Sequence, residues 1–194
     1  NLLRIKEGLN MAGRPKDPTI NKKIYEEINR LLETIHFRDI TIDQISENTG
    51  ISKATIYRRW KDKSSIIMDM FVEQSQKIFI HESDNLYEDL YHFLVKIKDI
   101  YKTKLGSAVI EILISHQQIE ARETFMTDYF NSNRRTLKKI ISKHIKDEEQ
   151  DLFIDLIFSP IYFNILIKPD SLDENYIEKM LNRIIEAYDP ETKE

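Results

Sequence analysis

Residues 41–60 read TIDQISENTGISKATIYRRW. Thr41 followed by Gln44 fits a capping box, in which each side chain satisfies an orphan backbone N–H of a helix's first turn. Ile42, Ile45 and Thr49 recur at i, i+3 and i+7, one face of that helix. Gly50 stands just past its end, where a residue with positive φ is usually required. Ser52 is a cap for a second helix, on which Ile56 and Trp60 lie four apart and face inward. Lys53, Thr55, Tyr57, Arg58 and Arg59 remain on the outer faces. This is the pattern of a helix-turn-helix, whose second helix enters the DNA major groove and presents polar and cationic side chains to base edges and phosphates. An ordinary helical hairpin with a solvated basic face carries the same pattern.

Thr41-Ile42, Ile45, Gly50-Ile51, the run Ser52-Lys53-Ala54-Thr55-Ile56-Tyr57, Trp60 and Lys63 resemble the DNA-binding domain of the TetR/AcrR repressors. Ser46 and Thr49 depart from that family's pattern, where alanines are usual. So does His36, which stands where the first helix normally ends in Gly. His36 therefore needs a different C-cap geometry or a left-handed backbone at some cost. DNA contacts are expected from Thr41, Tyr57 and Lys63 on phosphates. Lys53, Ala54 and Thr55 are expected at base edges, with Ser52 and Arg58 beside them. Arg14, in the basic Gly/Pro-rich arm of residues 11–18, is expected to reach a minor groove or phosphates; a frayed terminus is the alternative.

Composition agrees with an all-α chain. Gly and Pro number only 4 and 5 among 194 residues, which disfavours a turn-rich β fold. Without cysteine there is no disulfide, thiolate metal site or Cys nucleophile. No apolar run approaches the roughly 18 residues of a membrane span, and residues 1–10 lack the apolar core of a signal peptide. The expected location is the cytoplasm. Met11 is expected to be the true start, with residues 1–10 a leader or tag. The net charge of −4 is unevenly spread: residues 1–80 hold 14 Lys+Arg against 11 Asp+Glu, and residues 81–194 hold 15 against 22. That asymmetry suits a DNA-binding half joined to a half that binds something else.

Taken in order, residues 19–62 form a three-helix DNA-binding domain, with Ile24, Ile28, Leu31, Leu32 and Ile35 as the stripe of its first helix. Residues 63–82 form a connecting helix capped by Asp62, and residues 83–194 a helical domain for effector binding and dimerisation. Within it the periodicity predicts helices over 86–104, 107–119, 121–145, 152–167 and 175–188. Gly106 is taken as the break between the first two. The stretch 152–167 is apolar on too many sides for one intramolecular face, and a helix apolar all round is buried all round. A second copy related by twofold symmetry is the ready cover. Phe153, Ile157, Phe158, Ile161, Ile177, Leu181 and Ile184 are the expected interface residues. Ser159-Pro160-Ile161-Tyr162-Phe163, Leu166, Pro169 and Leu172-Asp173 are similar to the C-terminal segment of one TetR/AcrR subgroup. That likeness implies that the last two helices pair with their copies in a four-helix bundle.

Chemistry has no candidate constellation. Glu88 with His92, and His116 with Glu120, are spaced for one helix face, but a bundle metal site needs further carboxylates, so no metal or cofactor is expected. Nucleotide-binding and hydrolase signatures are missing, and no enzymatic activity is expected. Tyr91, Phe93, Tyr101, His116, Gln117, Phe125 and Tyr129 are candidates to line a pocket between helices; plain core packing is the alternative. The resemblance implies sensing of a small molecule there, and the aromatic lining suggests an aromatic or amphipathic effector. The expectation is a homodimeric repressor released from a palindromic operator by that effector. The rival readings are a DNA-binding regulator governed by a protein partner and a helical metal enzyme.

Overall fold

Apolar residues three and four apart build the first helix, α1 (Pro18–Leu32), whose Ile24 and Ile28 are buried. The computed structural model describes residues 18–75, 83, 85–115 and 118–188. Helix α1 ends as the N–H groups of Thr34 and Ile35 both donate to Leu31 O at 2.9 Å. His36 follows at φ −70°, ψ 149°, extended rather than left-handed, so the chain leaves the helix without a glycine. A short 3-10 turn, Phe37–Asp39, leads on.

Helices α2 (Ile42–Thr49) and α3 (Lys53–Tyr57) come next. The capping box is formed: Gln44 N–H donates to Thr41 Oγ1 at 3.1 Å, and Thr41 N–H to Gln44 Oε1 at 2.9 Å. Gly50 adopts φ 70°, the left-handed cap its position requires. Ser46 and Thr49 tie the turn together. The Ser46 hydroxyl donates to Ile51 O at 2.7 Å, and Thr49 Oγ1 accepts from Ile51 N–H at 3.2 Å. Alanines at these positions could make neither bond.

Asp62 accepts from Ser65 N–H at 2.8 Å and caps α4 (Lys63–Ser75), which buries Ile66, Ile67, Met68, Met70 and Phe71. The expected continuation of this helix falls on residues 76–82, outside the described residues. Helices α5 (Leu86–Tyr101) and α6 (Lys104–Ile114) are divided at Thr103, not at Gly106. Thr103 Oγ1 accepts from Gly106 N–H at 3.0 Å and so starts α6. Gly106 lies inside α6 because a Cβ there would stand 2.6 Å from Tyr101 Cα, so only glycine lets the two helices approach.

The long helix expected over 121–145 is a rod of three parts: α7 (Ile119–Thr124), a π-helical turn (Phe125–Phe130) and α8 (Asn131–Ile141). Helices α9 (Gln150–Ile167) and α10 (Glu174–Tyr188) complete the chain. Helix α4 packs on α6, α7 and the π-helical turn, α5 on α6, α8 and α10, and α9 on α8 and α10. One buried cluster runs from Ile24 to Leu181 and joins both ends of the molecule. The nearly buried Lys98 donates to Glu174 at 3.0 Å and fastens α5 to α10. Burial alone would lower that ammonium; its bonds to Glu174 and Asp99 outweigh burial and hold it above its ordinary value.

By length and composition, residues 147–167 are apolar enough to cross a membrane, although polar residues interrupt the run; 44% of this stretch is buried inside the fold. Burial within one chain corrects most of the expected dimer residues on α9 and α10. Phe153, Ile157, Phe158, Ile161, Ile177 and Leu181 are all at most 2% exposed within a single chain. They are core of the protomer, and Ile184 is half-buried. The exposed apolar face of α9 consists instead of Leu152, Leu156, Phe163, Leu166 and Ile167, with Phe163 53% and Ile167 62% exposed.

Candidate nucleic-acid interface

Five residues suffice for α3 because both of its ends are tied down. Ser52 Oγ accepts from Thr55 N–H at 3.3 Å at its start, and Ile56 and Trp60 bury its inner face. Two helices hold Trp60 and Arg59 in place. Trp60 Nε1–H donates to Asp69 Oδ2 of α4 at 2.8 Å, as does the Tyr25 hydroxyl of α1, also at 2.8 Å. Arg59 Nη1–H donates to Asn21 Oδ1 at 2.7 Å, so this guanidinium serves the α1 contact. What remains outward is Ser52, Lys53, Ala54, Tyr57 and Arg58, all exposed, with Thr55 half-exposed and Tyr57 at 54%. The fold therefore gathers these expected contact residues on one accessible surface.

The other expected contacts fare differently. Lys53 pairs with Asp43 of α2 at 2.8 Å, an exposed pair that a phosphate can replace at little cost. Thr41 is exposed, but its hydroxyl is engaged in the α2 cap. Arg14 lies outside the described residues. Lys63 corrects the sequence reading. Its Nζ donates to Phe37 O, Arg38 O and Ile40 O at 2.9, 2.7 and 2.8 Å, and stands 4.7 Å from the centroid of the Phe37 ring. All three of its N–H donors are thus engaged, and burial lowers its pKa. In this structure it clasps the 3-10 turn, its donors held on backbone carbonyls instead of open to a phosphate. Only the fold brings residues 37–40 to it.

The head is also joined to the remainder of the chain by charge. Arg38 pairs with Glu111 of α6 at 3.5 Å, and Lys61 with Glu120 of α7. Between the head and α6 lies an open groove of about 370 Å³ lined by Leu32, His36, Phe37, Lys104, Ser107 and Glu111. None of the expected pocket residues lines it.

Those residues divide. His116 and Gln117 lie outside the described residues. Tyr91 is half-buried on α5, packed at the edge of the core, stacked on Tyr87 with centroids 6.0 Å apart and donating to Glu174 at 3.4 Å, and makes no ring contact with the other expected pocket aromatics among the described residues. Phe93 is buried core. Tyr101, Phe125 and Tyr129 do come together: Phe125 and Tyr129 lie 5.1 Å apart, and Tyr101 and Tyr129 6.1 Å. The structure adds Phe71, Phe130, Phe158, Tyr162 and Asn133, which the sequence reading did not include. For Asn133 a signal was available. Phe125, Tyr129, Asn133, Leu137 and Ile141 recur every four residues, so Asn133 is a polar residue set into a buried stripe.

No protein-family model matches the chain. A helix-turn-helix transcriptional regulator of Bacillus subtilis, YdeS, is 28% identical over 178 residues, covering 87% of this chain and 89% of the relative. Another, Rv1556 of Mycobacterium tuberculosis, is 21% identical over 190 residues, covering 90% and 92%. Among solved structures, the TetR-family regulator SCO0332 matches with a TM-score of 0.72 at 16% identity, over 88% of this chain and 99% of that one. The chain has the fold of these TetR-family regulators. The TetR-family repressor AlkX of a Dietzia strain matches over 91% of this chain and all of its own, with a TM-score of 0.52 at 14% identity.

Proposed function

We propose that this chain is a dimeric, effector-responsive repressor of transcription that works in the cytoplasm on a palindromic operator. In this reading residues 19–62 are the DNA-binding head, residues 63–82 the connection, and residues 83–194 the effector-binding and dimerisation part. The observation that carries it is the exposed surface of Ser52, Lys53, Ala54, Thr55, Tyr57 and Arg58 on a helix capped and buried on its other side. Short polar and cationic side chains on such a helix read base edges and phosphates in the major groove. Dimerisation is supported by Leu152, Leu156, Phe163, Leu166 and Ile167, a contiguous exposed apolar stripe on α9. Stripes of this kind mark interfaces rather than ordinary surface. An isologous dimer presents two α3 helices related by twofold symmetry, and so requires half-sites about 34–36 Å apart.

The test is selection of bound duplexes from a random pool by the purified chain. The expected result is an inverted repeat with half-sites one helical turn, or a whole number of turns, apart. Arg58→Ala should weaken binding to every duplex and flatten the salt slope by about one unit, whereas Thr55→Ala should change the selected bases. Recovery of duplexes with no common sequence would overturn the reading.

A further inference from the structure

Asp69 is the single acidic residue in the apolar run 66–72, IIMDMFV. Its neighbours Ile66, Ile67, Met68, Met70 and Phe71 are buried, while Asp69 itself is exposed. Its Oδ2 accepts two hydrogen bonds, each of 2.8 Å, from the Trp60 indole N–H and from the Tyr25 hydroxyl. The rings of those two residues lie 6.0 Å apart. An indole N–H can only donate. Burial, and then the Asp69 carboxylate, hold the Tyr25 hydroxyl above its ordinary value, so it too keeps its proton and donates. Donors from two parts of the head thus share one charged acceptor, and bonds to a charged acceptor are the stronger kind.

Helix α3 needs such a joint. Five residues are too few to form a stable helix alone, so its direction is set by what holds its ends. At its C-terminal end the N–H groups of Arg59 and Trp60 donate to Ile56 O at 2.9 and 3.0 Å, which fixes the indole to the backbone of α3. The Arg59 side chain reaches Asn21 of α1, one helical turn from Tyr25. Helix α1, the end of α3 and helix α4 therefore meet at Asp69. The core face of α4 packs on α6, α7 and the π-helical turn, and Asp69 is a side chain that it sends back to the head.

We propose that Asp69 is a positioning residue for DNA recognition: by holding Trp60 and Tyr25 on one carboxylate oxygen it sets the direction of α3 against α1 and α4. This rests on the DNA-binding reading above and adds to it a residue that acts through Trp60. Charge alone makes a carboxylate in a DNA-binding head unfavourable, because it repels phosphates. Positioning therefore predicts the opposite sign from charge when the carboxylate is removed.

The test compares Asp69→Ala with Asp69→Asn in the full chain. Both remove the same negative charge, but Asn keeps a carbonyl oxygen that accepts from the two donors. On the duplex that the native chain selects, Asp69→Ala should bind more weakly than the native chain. It should also bind about tenfold more weakly than Asp69→Asn, the worth of about one net hydrogen bond. Trp60 is the only tryptophan in the sequence, so its fluorescence reports on the joint without DNA. The emission maximum should shift in Asp69→Ala and stay near the native value in Asp69→Asn, with the helical circular dichroism of both unchanged. Tyr25→Phe keeps the ring and removes the hydroxyl; it should weaken binding in the native chain and add nothing to Asp69→Ala. Equal or tighter binding by Asp69→Ala overturns the proposal, as do additive losses from Tyr25→Phe, a native Trp60 emission in Asp69→Ala, or a lost helical signal in that variant. A shifted emission together with a native chain that selects no duplex would keep the joint but sink the DNA-binding reading, and the positioning role with it.

Discussion

Lys63 shows how a single residue changes meaning between sequence and structure. At the first position of α4 it reads as a phosphate ligand beside a helix N-terminus. In the fold its three N–H donors hold the carbonyls of Phe37, Arg38 and Ile40. Hydrogen bonds from a charged donor are each worth about 1.5–3 kcal/mol, with less expected here because the site is only partly buried. Lys63→Ala is therefore expected to lower stability in denaturant melts by about 1–3 kcal/mol while leaving the salt slope of DNA binding unchanged. A native melting curve together with a slope flattened by about one unit would restore the phosphate role.

Helix α9 is decided at the level of the element. Its sequence is apolar on all sides, and composition cannot divide an all-round apolar helix into inner and outer faces. Packing against α8 and α10 divides it, taking Phe153, Ile157, Phe158 and Ile161 inward and leaving Leu152, Leu156 and Phe163 outside. Two substitutions of the same chemistry should therefore behave oppositely. Phe163→Glu adds a charge to an exposed surface, so the chain should fold and run as a monomer by light scattering, with operator binding lost. Phe158→Glu puts a charge in the protomer core and should unfold it, at several kcal/mol in order of magnitude. A clean dimer for Phe163→Glu would exclude this stripe from the interface. The π-helical turn belongs to the same scale. The four-residue period from Phe125 to Ile141 was visible in the sequence, but the extra residue per turn was not, because side-chain periodicity does not report which carbonyl each N–H selects.

Across the whole molecule, charge connects the head to the acidic half. Arg38 and Lys61 belong to the basic end of the chain but pair with Glu111 of α6 and Glu120 of α7. These exposed pairs contribute little to stability, yet they occupy cations that would otherwise add to the head's positive field. Replacing both acids, Glu111→Gln with Glu120→Gln, should raise affinity for duplexes of any sequence at low salt. The salt slope should steepen by up to about two units and the gain vanish at high salt. Anisotropy titrations on a random duplex measure this directly. Unchanged low-salt affinity would show that the two cations take no part in DNA binding.

What the sequence determined by itself was local. The capping box at Thr41, the left-handed Gly50, the Ser52 cap and the inward Ile56 and Trp60 all depend on residues within a few positions of one another. The physics of helix ends and helix periods operates over that range. The tertiary structure alone decided what depends on elements far apart in the chain. It set which face of α9 is free, why Gly106 must lack a side chain, where the Lys63 donors go, and which rings meet at Tyr129. In each case the deciding partner sits on another helix, and its distance and direction follow from packing that no local pattern encodes.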